Sequence, residues 1–98
     1  MNERYKELKH YLLMLNPICE VCGERRAMEV NHCLYHKHGG IYDSFENCQA
    51  VCCECRETQR DNATEQRRKH WAKRVKQGFN MELWNQKIPK YRRVNYGG

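Results

Sequence analysis

A small, metal-stapled α+β domain is predicted by three features of the sequence. Apolar residues recur at helical spacing near the N-terminus. They alternate with polar ones around residue 30, and two C-x-x-C pairs lie thirty residues apart. At 98 residues, with 31% charged against 40% hydrophobic side chains, the chain is expected to be one domain, which excludes a large multidomain enzyme. A chain of this size buries only about 60 to 65% of its unfolded surface, so its core is marginal without a staple. The seven cysteines are the candidates, and an odd number cannot pair off completely. The first residues include acids and only a five-residue apolar run, Tyr11–Leu15, where a signal peptide would need a longer one. The expectation is a reduced, cytoplasmic protein whose thiols bind metal. No stretch approaches the ~20 apolar residues of a membrane span, so a soluble chain is expected.

Residues 3–15 place Tyr5, Leu8, Leu12 and Leu15 on one side, with Asn2 as a cap and Asn16-Pro17 as a stop. They predict a short amphipathic helix. Ala27 to Cys33 reads as a strand in which Met28 and Val30 alternate with polar neighbours, and Gly39-Gly40 marks a turn or open loop. A helix begins near Cys53 and pauses around Asp61-Asn62. Asn62 with Glu65 three residues on forms a capping box, so a further helix is expected from Ala63 to Gln77, stopped by Gly78.

Charge is unevenly placed along these elements. Residues 1–55 carry six Lys or Arg and eight Asp or Glu, whereas residues 56–98 carry twelve and four. A concentrated positive field favours polyanions, and nucleic acid is the commonest for a basic protein. The predicted helix from Ala63 has an apolar stripe of Ala63, Trp71 and Val75, surrounded by Arg67, Arg68, Lys69, Lys73, Arg74 and Lys76. These cations either face a phosphate backbone or form an ordinary solvated surface. From Phe79 to Gly98, Trp84, Tyr91 and Tyr96 interleave with Lys87, Lys90, Arg92 and Arg93. Such a segment is either an arm on nucleic acid or a strap around its own domain.

Cys19-x-x-Cys22 and Cys52-x-x-Cys55 are two knuckles, each able to aim two thiolates from a tight turn at one ion. Together they predict a closed, structural zinc site, with Gly23 suited to the first turn. A four-thiolate site has no open position for water, so the ion holds the fold and performs no chemistry. Cys33, Cys48 and Cys53 remain as small buried hydrophobes near it. Cys53 is an alternative to Cys52 as a ligand, but Cys52 keeps the better spacing to Cys55.

Between the knuckles stand Glu29-Val30-Asn31-His32, Gly39-Gly40, and Asn47-Cys48-Gln49-Ala50-Val51-Cys52-Cys53-Glu54-Cys55-Arg56. This order resembles the HNH family of ββα-metal (His-Me finger) nucleases, in particular the zinc-stapled members common in phages and mobile elements. In them a C-x-x-C precedes a strand ending in a V-[DH]-H-like step, a glycine loop follows, and an N-L-x-x-L-C-x-x-C-H segment closes the motif. The resemblance covers about residues 18–60. It implies a zinc-stapled β-hairpin and helix, here with an N-terminal helix and a basic helical extension.

The same resemblance implies that His32 is the general base, taking a proton from water for attack on a DNA phosphodiester, and that Asn47 braces the loop orienting that base. In active relatives a divalent cation such as Mg²⁺ or Mn²⁺ is held by the residue before the base and the last residue of the motif. Those positions are Asn31, a weak and uncharged ligand, and Arg56, whose guanidinium has no acceptor. His36, His38, Asp43 and Glu57 are the nearby replacements. Alternatively, Arg56 clamps the scissile phosphate itself, or pairs with Glu57 or Glu54. The expected unit is a single domain over residues 1–98, with an HNH-like zinc core at 18–60 and a basic helix and tail at 61–98. The first functional reading is an HNH DNA endonuclease or nickase, with Arg67, Arg68, Lys69, Lys73, Arg74, Lys76, Arg92 and Arg93 facing DNA. The alternatives are a catalytically degenerate DNA-binding module and a protein-binding adaptor.

Overall fold

A computed structural model describes residues 3–34, 40–58 and 63–93. In chain order these form helix α1 (Glu3–Leu15), strand β1 (Glu29–His32), a 3-10 turn (Gly40–Tyr42), strand β2 (Cys48–Val51), and helices α2 (Cys53–Thr58), α3 (Ala63–Lys76) and α4 (Met81–Gln86). A second 3-10 turn, Lys90–Arg92, follows. The fold is the expected small α+β class. Asn2, Gly39, Asn62 and Tyr96, which the sequence reading used as cap, turn, cap and tail aromatic, lie outside the described residues.

The two strands pair antiparallel, with Glu29 opposite Val51, Val30 opposite Ala50, Asn31 opposite Gln49 and His32 opposite Cys48. Strand alternation sends Val30 and His32 to one face and Glu29 and Asn31 to the other. Helix α1 covers the first face. Its Leu8 and Leu12, one helical turn apart, pack with Ala27, Val30, Cys48 and Ala50, while Tyr5, Leu13 and Phe45 close the margin. Leu15, expected in the same stripe, is 52% exposed. The helix ends there, as the Asn16 amide donates back to the Leu12 carbonyl at 2.9 Å. Met28 is also exposed, although its amide donates to the Val51 carbonyl at 2.9 Å.

A two-stranded sheet leaves β2 with an open edge, and the first cysteine loop covers it. The Glu20 amide donates to the Ala50 carbonyl at 2.9 Å, and the Glu20 carboxylate accepts from the Ala50 amide at 2.6 Å.

Helix α3 departs most from its sequence pattern. Val75 is 52% exposed and Trp71 half-buried, whereas His70 and Arg74 are 2% and 0% exposed. The inward stripe is polar, since what it meets is irregular backbone with unpaired carbonyls. Arg67 Nε donates to Cys33 O at 3.1 Å, and His70 Nε2 donates to Glu46 O at 2.6 Å. Arg74 donates to Phe45 O and Cys48 O, both at 2.7 Å. The helix ends as expected at Gly78. This residue has φ 96°, its amide bonds Val75 O, and the Phe79 amide bonds Arg74 O, the two bonds of a Schellman cap.

The segment after Gly78 is a strap as far as it is described. In α4 the Asn80 side chain caps the Leu83 amide at 3.0 Å. Trp84 and Ile88 then pack with Leu34 and Tyr42. The Trp84 indole donates to Ile41 O at 3.2 Å, and the Arg92 guanidinium lies 4.7 Å above the Tyr42 ring. These contacts tie the strap to Leu34 and to the Ile41–Tyr42 turn in the connection between β1 and β2.

Burial of His70, with the Arg74 charge beside it, lowers its pKa to about 4, and its Nδ1 is buried without a partner. The unfolded ring titrates near 6.5. The unfolded state therefore binds more protons between these values, so this contribution is complete above pH 6.5 and is lost as pH falls towards 4. About 2 kcal/mol should disappear between pH 7.5 and pH 5. Chemical denaturation of wild type and His70→Gln measures it, because both share the acid-sensitive thiolate site. Parallel losses in the two proteins would refute the assignment.

Candidate active site and metal centre

The thiols of Cys19, Cys22, Cys52 and Cys55 converge, with all four sulfur atoms within 4.8 Å of one another. Four thiolates at ~2.3 Å from a tetrahedral ion lie about 3.8 Å apart, inside that limit, so the set fits one metal ion. The loops carry the expected knuckle bonds. Gly23, at φ 69°, turns the first loop, and its amide donates to Cys19 O at 2.9 Å. Hydrogen bonds from the Arg25 and Glu24 backbone lower the Cys22 thiol to about 6. In the second loop the Cys55 amide donates to Cys52 Sγ at 3.5 Å and holds that thiol down. Burial, then the neighbouring thiols, push Cys55 up. Two thiols favour the anion and one resists it, the pattern of a crowded set that a cation would relieve.

The three other cysteines divide differently from the expectation. Cys48 is fully buried, and burial raises its thiol to about 12. Cys33 is half-buried and likewise raised to about 12 by burial. Cys53, expected to be buried, is exposed. At the first turn of α2 it points away from the cluster that its neighbour Cys52 enters.

His32 ends β1 on the face covered by α1. Its Nε2 lies 2.7 Å from Asp43 Oδ1, with side chains 19% and 12% exposed. The Tyr5 ring stacks nearly parallel to the imidazole, at an interplanar angle of 11° and a centroid distance of 6.1 Å. Burial raises the Tyr5 hydroxyl pKa, as do the charges of Asp43 and Glu29, while Arg56 opposes them. Tyr5 thus stands among the charged groups of both sheet faces.

Asn47 is 1% exposed and spans the long loop. Its Oδ1 accepts from the Leu34 amide at 2.9 Å, and its Nδ2 donates to Leu34 O at 2.8 Å and Tyr42 O at 2.9 Å. A primary amide can do this because it offers donors and an acceptor in one plane.

Asn31 is half-buried on the opposite face from His32. It shares that face with Glu29, whose carboxylate meets Arg56 Nη1 at 3.4 Å and Lys9 Nζ at 3.8 Å. Arg56 therefore pairs with Glu29; of the two acids expected as its partners, Glu54 bonds Arg25 at 3.1 Å, while Glu57 lines the same cleft as Arg56. That cleft, of about 530 Å³, is open and bounded by Glu29, Cys53, Arg56 and Glu57. His36 and His38 lie outside the described residues.

The basic residues separate by environment. Arg74 is fully buried and has no surface to offer a polyanion. Lys73 pairs with Glu20 at 3.1 Å, and Arg67 is half-buried with its Nε on the Cys33 carbonyl. Arg92 covers Tyr42, and Arg93, although exposed, donates to Ile88 O and Gln86 O. Arg68, Lys69 and Lys76 stay exposed along one side of α3, Lys69 in a 3.5 Å pair with Glu65. Four residues that contact the candidate site residues were not given that part by the sequence: Tyr5, placed only in the stripe of α1; Glu20, inside the first knuckle; Glu29, on Arg56; and Asp43, considered only as a cation ligand. The stripe Tyr5, Leu8, Leu12 was the one available signal, because whatever covers Val30 also reaches His32 two residues along.

Residues 19–61, under half of the chain, match the family model described as HNH endonuclease. The match takes in both cysteine pairs, His32, Asn47 and Arg56. No curated protein and no solved structure matches the chain.

Proposed function

We propose that the protein is a DNA endonuclease or nickase with His32 as its general base, a reading supported by the match of residues 19–61 to the HNH endonuclease family model. The observation that carries this reading is the His32 imidazole, half-buried at the strand end, bonded to Asp43 through Nε2 and stacked against Tyr5. A ring so held keeps Nδ1 for proton transfer. Water gives a proton to the imidazole as its oxygen bonds to phosphorus, and the bond from phosphorus to the 3′ oxygen breaks. That oxygen takes a proton from solvent, giving a 3′-hydroxyl and a 5′-phosphate. Asn47 acts indirectly, by holding Tyr42 beside Asp43.

The family positions for a catalytic divalent cation hold Asn31 and Arg56, and this pair does not fit one. Asparagine brings no charge, and guanidinium has no lone pair to give. Arg56 suits the phosphate instead: it is 55% exposed, and its 3.4 Å bond to Glu29 is weak enough for a phosphate to displace. The four-cysteine set takes zinc in this reading, as the all-thiolate donor set favours, and serves the fold. Arg68, Lys69 and Lys76 supply the DNA-facing charge. The unit takes in α3 and α4 as well as the matched segment, since both helices bind the connection between the strands. No helix of the described residues is long and apolar enough to cross a membrane, and a reduced cytoplasm keeps the thiols available.

The same loss of cation ligands favours a second reading, a degenerate module that binds DNA without cutting it. Plasmid nicking by the metal-loaded protein with Mg²⁺, with Mn²⁺ or with neither added separates the two. His32→Ala is expected to lose at least ~100-fold in rate, with metal content and melting temperature unchanged. Equal nicking by both proteins overturns the assignment of the base. DNA binding without nicking, with an affinity that falls steeply with salt, leaves the binding module.

A further inference from the structure

We infer that Asp43 is a positioning residue for His32, fixing the imidazole as its Nε2–H tautomer so that Nδ1 is the nitrogen that takes the proton; this rests on the reading of His32 as the base. A carboxylate only accepts, so at 2.7 Å from Asp43 Oδ1 the proton between them belongs to Nε2. The neutral ring then carries its lone pair on Nδ1. Both side chains are mostly shielded from water, which strengthens the bond and limits exchange of the ring for other rotamers. Tyr5, against the ring face, restricts it further.

The placement of Asp43 is built from several elements. Gly40, at φ 64°, opens a 3-10 turn in which the Asp43 amide donates to Gly40 O at 3.1 Å. Tyr42, immediately before it, is 5% exposed. Its carbonyl accepts from Asn47 Nδ2 at 2.9 Å and from the Cys48 thiol at 3.5 Å, and its ring is packed by Trp84, Ile88 and Arg92. Helix α4, beyond the matched segment, therefore helps to set the base through Tyr42 and Asp43. A loop aspartate with no such support would leave the ring to solvent.

The test is made on the metal-loaded full chain with ¹⁵N-labelled histidine. Wild type should show His32 as the Nε2–H tautomer, with a hydrogen-bonded ring proton protected from exchange. Asp43→Ala should lose that protection, and Asp43→Asn should keep it in part, because the amide oxygen still accepts. Under nicking conditions Asp43→Ala should lower kcat on the order of 10- to 100-fold with KM changed by less than about twofold. An unaltered His32 ring proton in Asp43→Ala overturns the inference, as does a rise in KM at constant kcat. The spectrum does not depend on turnover. If wild type fails to nick DNA while Asp43→Ala still loses the protected proton, the tautomer assignment stands and the nuclease reading falls.

Discussion

Removing the metal from the four-cysteine site is expected to unfold the chain rather than loosen one loop. The cluster of Cys19, Val51, Cys52 and Cys55, with Val21 and Cys22 against it, is one of three small cores among the described residues. It has little apolar mass apart from the thiols. The first knuckle carries Glu20, which covers the β2 edge and receives Arg74, and the second leads directly into α2. Structural zinc contributes roughly 10–16 kcal/mol in small folds, against a total stability of about 5–15 kcal/mol for a domain. Loss of the ion therefore exceeds what the remaining contacts can hold. Chelation, or Cys52→Ser, should abolish cooperative thermal unfolding and most of the helical far-ultraviolet signal. Cys53→Ser should change neither, because that thiol is exposed. Elemental analysis should find one ion per chain in wild type and Cys53→Ser. A chelated protein that still melts cooperatively within a few degrees of the loaded one would refute the metal's structural role.

The metal ligands were legible in the sequence because the donors come in pairs with short spacing, and a tight turn can point only a few ways. Helix α1 was legible for a similar reason, as Leu8 and Leu12 repeat on one face. The docking of α3 was not, because hydrophobic periodicity describes helices that meet apolar surfaces. This one meets backbone carbonyls, and its inward residues, Arg67, His70 and Arg74, read as solvent-facing in any amphipathic pattern. The tail reading left two alternatives open, and Trp84 and Ile88 resolve them for residues 79–93 by packing on Leu34 and Tyr42. The HNH pattern identified His32 as a candidate, yet it could not supply its partner. Asp43 lies eleven residues away, across a loop whose path depends on Asn47 and on a helix outside the motif.

Arg74→Met should destabilise the metal-loaded protein by about 4 kcal/mol or more, whereas Arg68→Ala, six residues earlier on the same helix, should cost no more than about 0.5 kcal/mol. The difference follows from the acceptors each arginine meets. Arg74 is fully buried, and its five N–H donors meet five acceptors: Phe45 O, Cys48 O, Gln77 Oε1 and both oxygens of Glu20. Burial of Glu20 would raise its carboxyl pKa, but the Arg74 bond and charge, the Ala50 amide and Lys73 outweigh it and leave the group below its ordinary value. Methionine fills much of the volume but leaves that carboxylate with only Lys73 and one amide, and it strands two buried carbonyls at about 1–3 kcal/mol each. A hydrophobic replacement of both partners would not recover the loss, because the Ala50 amide would still lack the acceptor Glu20 provides. Urea denaturation of the three proteins at neutral pH measures the effect. The deficit of Arg74→Met should persist in high salt, since a pair shielded from water is little screened. A midpoint for Arg74→Met within about 1 kcal/mol of wild type would refute the latch. A charge reversal at residue 74 would accordingly unfold the domain, while the same change at Arg68 or Lys76 would leave it folded and so test the proposed DNA-facing role of those two residues.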